Sequence, residues 1–273
     1  MTYFLYVIIF LFGLAIGSFL NVLILRLPHE QRIGGRSACP KCGHQLGWRD
    51  LVPIFSFIFL RGHCRYCGMK ISWQYPIVEI ITGLLFLLIF NKFFPLGGII
   101  SQFPNFPISS LLFTVYCLLL GACLIVIFVS DLRYFIIPDA VVYTAIAGAF
   151  LYQLFQVSGF RFQDFWPVFI YLLVALGASL FFLLIVVATK GKGMGLGDVK
   201  LAFLMGLVLG WPKILLALLL AFVSGALVGL ALILAGRAKM KSEIPFGTFL
   251  SASTFLVMIL GQWTLAKYLS LLF

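Results

Sequence analysis

Only eight acidic residues occur in this chain of 273, so each carboxylate in it needs a reason. Asp198 lies within residues 191–200 (Gly-Lys-Gly-Met-Gly-Leu-Gly-Asp-Val-Lys), a stretch set between two long apolar runs. Its alternating glycines free the backbone for conformations closed to other residues and admit another chain at close range. A carboxylate delivered to a membrane boundary is costly to place and points to function. The plain alternative is an interhelical loop ending in an aspartate cap. Asp131 lies 67 residues earlier. Two carboxylates side by side do not readily both ionise, so one keeps its proton. The ionised partner can then take a proton from water while the protonated one donates a hydrogen bond to a scissile carbonyl. That is aspartyl peptidase chemistry, and it requires neither a metal nor a nucleophilic side chain. His29, His44 and His63 all fall in one polar loop region, which leaves no Ser-His-Asp or Cys-His set in prospect.

That polar loop holds the second group with chemistry. Cys39-Pro-Lys-Cys42-Gly and Cys64-Arg-Tyr-Cys67-Gly are separated by 21 residues. Each Cys-x-x-Cys-Gly makes a tight knuckle with both thiolates toward one ion, and two knuckles complete a four-cysteine zinc site. A pair of disulfides is the rival, disfavoured in a reducing compartment. Four thiolates leave no open coordination position, so the zinc is structural, and a loop of this size draws folding free energy from it. His44 and His63 adjoin the cysteines but are not required as ligands. Cys117 and Cys123 lie inside an apolar run and read as packing residues.

The elements that must carry these groups are membrane helices. Hydrophobic residues make up 63% of the chain and charged residues 10%, against about 25% charged in soluble domains. Eight apolar segments can be read, at about 3–25, 76–96, 109–130, 137–157, 167–189, 199–211, 213–235 and 247–269. The expected fold is therefore all-α, a polytopic bundle of about eight transmembrane helices with a small zinc-ribbon-like loop domain. The sixth segment is the shortest and is followed at once by Trp211-Pro212-Lys213, as a tilted or partial span would be. The division is residues 1–25 as first helix, 26–75 as four-cysteine loop domain and 76–273 as transmembrane peptidase domain.

The net charge of +11 does not point to nucleic acid, because the basic residues cluster in loops without interleaved aromatics. With the N-terminus outside, loops 26–75, 131–136, 190–200 and 236–246 face the cytoplasm and hold fifteen of the nineteen Lys and Arg residues; the reverse orientation inverts that bias. The first segment has no basic residue ahead of Arg26, so it reads as a retained helix rather than a cleaved signal. In this topology Asp131 ends the third helix and Asp198 begins the sixth on the same side.

Other polar residues at membrane depth have quieter readings. Asp139, behind Pro138, suits the first turn of a helix. Glu79 is either a dipole-facing residue near a helix start or a packing or active-site contact. Asn21 reads as an interhelical hydrogen bond, Gly13 and Gly17 are spaced for close helix packing, and Arg26 with Pro28 marks the interfacial end of the first span. Glu243-Ile-Pro-Phe-Gly247 is a structured turn opening the last helix. The Gly-rich loop is a poor nucleotide cradle, since no strand precedes it.

In this order the motifs resemble those of the prepilin peptidases, or type IV leader peptidases, among the Gly-x-Gly-Asp membrane aspartyl proteases. The resemblance runs through residues 17–28, the two cysteine pairs, 76–83, 131–139, 191–201 and 244–247. It implies that Asp131 and Asp198 are the catalytic pair, and that the substrates are type IV prepilins or pseudopilins. It further implies cleavage of their basic leader after a glycine on the cytoplasmic side of the bacterial inner membrane. Many members also methylate the new N-terminus with S-adenosylmethionine, an activity associated with the cysteine-bearing loop; the residues that would bind that donor are not identified from the sequence. The competing class is a proton-coupled transporter, which calls for carboxylates near the bilayer midplane and inverted repeats. A zinc-bearing scaffold without catalysis leaves Asp198 in its glycine loop unexplained.

Overall fold

A lipid-facing backbone has no water to bond, so apolar runs of this length resolve into helices that satisfy their own N–H and C=O groups. The computed structural model describes residues 2–93, 108–156, 162–191, 193–237, 239 and 244–272. Among them the long elements are α1 (Thr2–Arg26), α3 (Gln74–Phe93), α4 (Ile108–Tyr134), α5 (Asp139–Phe155), α6 (Phe162–Ala188), α7 (Leu196–Leu209), α8 (Lys213–Leu234) and α9 (Phe246–Leu272). A short α2 (Phe55–Phe59) lies in the polar loop, and no strand occurs among the described residues. Each of the eight apolar segments thus coincides with a helix. Those in α1, α3, α4, α6 and α8 are long and apolar enough to cross a membrane, and α5 and residues 246–261 of α9 are shorter apolar helices.

The chain divides within α4 into two compact units, residues 1–126 and 127–273. In the first, α1 packs along α3 at a distance that only glycine permits. A Cβ on Gly17 would lie 2.7 Å from Glu79 Cα, and one on Gly13 would lie 2.7 Å from Gly83 Cα. Asn21 closes the same seam as expected. Its amide donates to the carbonyls of Gly17 and Tyr75 at 3.3 and 3.2 Å, and its oxygen accepts from Gln74 Nε2 at 3.4 Å. Arg26 does more than mark the end of a span. Its Nη1 donates to the carbonyls of Arg32, Ile33 and Gly34, folding the loop back over the end of α1 and satisfying carbonyls that no helix serves.

The second unit is built around α7. At 14 residues it is about 21 Å long, short of a hydrocarbon core of about 30 Å. Its apolar residues are nevertheless all-round: Leu201, Ala202, Leu204, Met205 and Leu207 are fully buried. A helix hydrophobic on every face is one enclosed by protein, and α7 packs against α5, α6, α8 and α9. Gly206 meets α6 so closely that a Cβ would lie 2.4 Å from Ala175 Cα. The shortness of the sixth apolar segment is thus the mark of a central helix. By contrast α6 and α8 leave leucines such as Leu176, Leu180, Leu184 and Leu219 outward, as a lipid-facing surface does.

Candidate active site

Asp131 stands near the C-terminal end of α4 and is buried. Helix α9 begins opposite it, and the unpaired N–H groups of a first helical turn need acceptors. The N–H of Thr248 donates to Asp131 Oδ2 at 2.8 Å, and the N–H of Gly247 also bonds this carboxylate. Asp131 therefore caps a helix 117 residues downstream, in the positive end of its dipole. Gly247 is required for the fit, since a Cβ there would lie 2.9 Å from Asp131 Oδ2 and 2.7 Å from Ile137 Cδ1.

Asp198 is also buried and also pinned by a helix N-terminus, in this case its own. Gly195 is the residue preceding α7, and its N–H donates to Asp198 Oδ2 at 3.2 Å. Asp198 accordingly sits in the first turn rather than at the cap position. Of the loop glycines only Gly191 takes a left-handed backbone, at φ +74°; Gly197 serves close approach, with Ile137 Cβ 3.1 Å from where its own Cβ would be. The Ile137 side chain thus abuts both glycine turns, the one that precedes Thr248 and the one that precedes Asp198. The two carboxylates come near enough for the Asp131 charge to act on Asp198. Both carboxylates are thus held by backbone N–H groups at helix starts, in turns that meet the same Ile137 side chain.

Asp139 takes up the first turn of α5 behind Pro138, as expected. It has a partner that the sequence left unseen: Lys200 Nζ lies 2.7 Å from both of its carboxylate oxygens, with Asp139 half exposed. The pair joins α5 to α7 directly beside Asp198. Sequence reasoning also missed Ile137 and the Gly247 and Thr248 N–H groups. The one available signal was Ile244-Pro-Phe-Gly247, whose proline sits just ahead of a helix start. Glu243 of that turn lies outside the described residues.

The four loop cysteines converge in the first unit. Their sulfurs all lie within 4.8 Å of one another, and Cys39 Sγ and Cys67 Sγ are 3.7 Å apart. A tetrahedral centre with arms of about 2.3 Å has edges of about 3.8 Å, so the set fits a four-coordinate ion. The two knuckles are near copies. Cys39 N–H donates to His44 O and Cys64 N–H to Met69 O, while Gly43 N–H and Gly68 N–H return to Cys39 O and Cys64 O. Gly43 and Gly68 have φ of +69° and +68°, which is why glycine follows each second cysteine. The N–H groups of Cys42 and Lys41 draw the Cys39 thiol down to about 6. The Met69 N–H also favours a thiolate at Cys67, but burial and the sulfurs of Cys64, Cys39 and Cys42 push it up to about 11. A bound cation would offset the repulsion among four thiolates brought this close.

His63 and His44 are placed beside the cluster without joining it. His63 Nδ1 is 2.7 Å from Arg61 O, and the His44 ring lies 3.6 Å from that of Tyr66. Tyr66 in turn donates to Asp50, which pairs with Arg65 at 2.8 Å. Glu79 settles as a packing contact: it is buried and its Oε2 accepts the N–H of Ile54 at 2.8 Å.

Comparison with known proteins matches residues 11–93 to the bacterial peptidase A24 N-terminal domain and residues 118–230 to the type IV leader peptidase family. A protein of Bacillus subtilis (strain 168) named prepilin leader peptidase/N-methyltransferase is 32% identical over 97% of this chain and 98% of its own length. Proteins of the same name from Myxococcus xanthus (strain DK1622) and Aeromonas hydrophila are 35% and 30% identical. They cover 87% and 96% of this chain, and 66% and 94% of their own lengths. No solved structure matches the chain.

Proposed function

The chain belongs to the type IV leader peptidase family, and from that premise we infer that it cleaves the leader peptide from type IV prepilins or pseudopilins and N-methylates the new N-terminus. The observation that carries the peptidase reading is the carboxylate pair, Asp131 and Asp198, each held by backbone N–H groups at a helix start. One aspartate, ionised, takes a proton from water as the water oxygen bonds to the scissile carbonyl carbon. The other, protonated, donates to the carbonyl oxygen. The carbon–nitrogen bond then breaks as the departing amine takes up the proton that water gave. Because each carboxylate is anchored by backbone rather than by a flexible side chain, little reorganisation accompanies this proton traffic.

Cys39, Cys42, Cys64 and Cys67 hold zinc in this reading, and its contribution is to the folding of the loop. S-adenosylmethionine supplies an electrophilic methyl group for the amine that cleavage exposes. Residues 26–75, Asp131 and Asp198 face the cytoplasm, the N-terminus lies outside, and eight helices cross the bacterial inner membrane. The three regions are the first helix (1–25), the zinc loop (26–75) and the peptidase domain (76–273). A transporter reading finds no support, since Asp131 and Asp198 sit at helix ends rather than mid-span and every relative named above is a peptidase. The test is incubation of the purified full chain with a pilin precursor, followed by mass spectrometry. Loss of the leader and gain of one methyl group are expected; an intact precursor rejects the peptidase assignment.

A further inference from the structure

The zinc loop carries a segment that its metal chemistry does not use. Residues 51–60 (Leu-Val-Pro-Ile-Phe-Ser-Phe-Ile-Phe-Leu) run between the two knuckles, with Arg49 and Arg61 at their ends. The fold leaves this run uncovered: Phe55, Ile58 and Phe59 are 51%, 62% and 82% exposed. Trp48 and Trp73, on either side, are exposed as well. Contiguous apolar surface of this kind marks an interaction face.

Two contacts fix the level at which that face sits. The Ile54 N–H donates to Glu79 Oε2 at 2.8 Å, and the Phe57 and Trp73 rings lie 4.9 Å apart. Glu79 is five residues into α3, about 7.5 Å along the axis of a helix long enough to span a bilayer. The run is thereby tied to α3 where α3 itself turns Ile77, Ile80 and Ile81 outward. The tie is made at a strained residue. Ile54 has φ +62° and ψ −50°, and Phe55 N–H closes a three-residue turn onto Pro53 O at 2.6 Å. A β-branched residue rarely adopts this conformation, and such strain persists only where surrounding structure imposes it.

We propose that residues 51–60 are an interfacial membrane anchor, inserted into the acyl–headgroup boundary of the leaflet against which the zinc loop lies. Phe55, Ile58 and Phe59 enter the acyl region, Arg49 and Arg61 meet lipid phosphates, and Trp48 and Trp73 lie at the headgroup level. Lipid is the occupant because the face is anchored to a spanning helix at membrane depth and bordered by cations and tryptophans. Glu79 is the pin: its buried carboxylate holds the Ile54 turn, and with it the level of the whole segment. The zinc centre is then a module laid on the membrane rather than one swinging free of it.

The test uses the full chain in phosphatidylcholine/phosphatidylglycerol vesicles that carry a diazirine near the carboxyl end of an acyl chain. After photolysis, peptide mapping by mass spectrometry reads which segments have taken up lipid. Labelling of 51–60 at a level comparable to that of 77–84 is expected. Labelling of 77–84 with none at 51–60 overturns the proposal. So does protection of 51–60 from deuterium exchange that arises only when a pilin precursor is added, which would make this a protein-docking face. Glu79→Ala is expected to lose the 51–60 label while retaining zinc, and an unchanged label overturns the assignment of Glu79 as the pin. The combined Phe55→Ser, Ile58→Ser and Phe59→Ser variant alters only exposed positions, so its fold is not at issue. It is expected to raise deuterium exchange at 48–60 in vesicles, and unaltered exchange argues against insertion.

Discussion

Asp131 reaches across 117 residues of sequence to the first turn of α9, whereas Asp198 is held within its own helix start. Removing a general acid or base costs roughly 10²–10⁴-fold, and half of a coupled pair costs more. Asp131→Asn and Asp198→Asn are therefore each expected to abolish leader cleavage while thermal unfolding stays close to wild type. Near-normal cleavage by Asp198→Asn would sink the aspartyl assignment. Asp139→Asn breaks only a half-exposed pair with Lys200, and surface pairs contribute about 0–1 kcal/mol, so cleavage by that variant is expected to fall only modestly. Gly247→Ala is the sharper probe. Its methyl group would press on Asp131 Oδ2 and Ile137, displacing the carboxylate without altering its chemistry. A large loss in kcat with zinc content and unfolding temperature little changed is the expected pattern. Asp198 was singled out by its glycine loop, and Asp131 by the parity of the apolar segments and the order of the motifs. Ile137 and the N–H of Thr248 were not, since neither an apolar side chain nor a backbone donor announces its partner in sequence.

Helices were legible for a different reason. Where hydrocarbon forbids unpaired backbone, twenty apolar residues have one conformation open to them, and eight segments became eight helices. What periodicity leaves out is which neighbour each helix meets. Gly13 and Gly17 announced a close seam, yet only the fold reveals that Glu79 and Gly83 of α3 complete it. Gly17→Val drives a side chain into the α3 backbone; overpacking costs about 1–3 kcal/mol, so a lower unfolding temperature in detergent is the expected result. The knuckles were the most legible element, because Cys-x-x-Cys-Gly encodes its own turn and its own donors. Cys42→Ser is expected to lose the zinc, measured by elemental analysis, and to lower the yield of folded protein. Cleavage per folded molecule should fall much less than in Asp131→Asn, because a closed four-thiolate site takes no part in the peptide chemistry. Zinc-free wild-type protein, freshly purified and reduced, would refute the metal assignment.

For the whole molecule the question is which side of the membrane the chemistry faces. Fifteen of nineteen basic residues fall in the four loops assigned to the cytoplasm, and transferring basic loops across a membrane is disfavoured. The assignment requires α7, short as it is, to complete a crossing, because without it residues 236–246 would fall on the opposite side. Residue Glu30 follows α1, Lys190 follows α6, and Ser158 falls between α5 and α6. If the parity is right, Glu30 and Lys190 share one side and Ser158 the other. An impermeant maleimide applied to intact cells should label Ser158→Cys at once, and Glu30→Cys and Lys190→Cys only after permeabilisation. The native cysteines supply the blank, since the four in the loop are assigned to zinc and Cys117 and Cys123 are buried, so the wild-type chain should take up little label with or without permeabilisation. Labelling of Glu30→Cys from outside would invert the topology and place Asp198, eight residues beyond Lys190, away from any basic leader on the cytoplasmic side. The peptidase assignment would then need a substrate that enters from the opposite face, and the basic bias of the loops would lose its explanation.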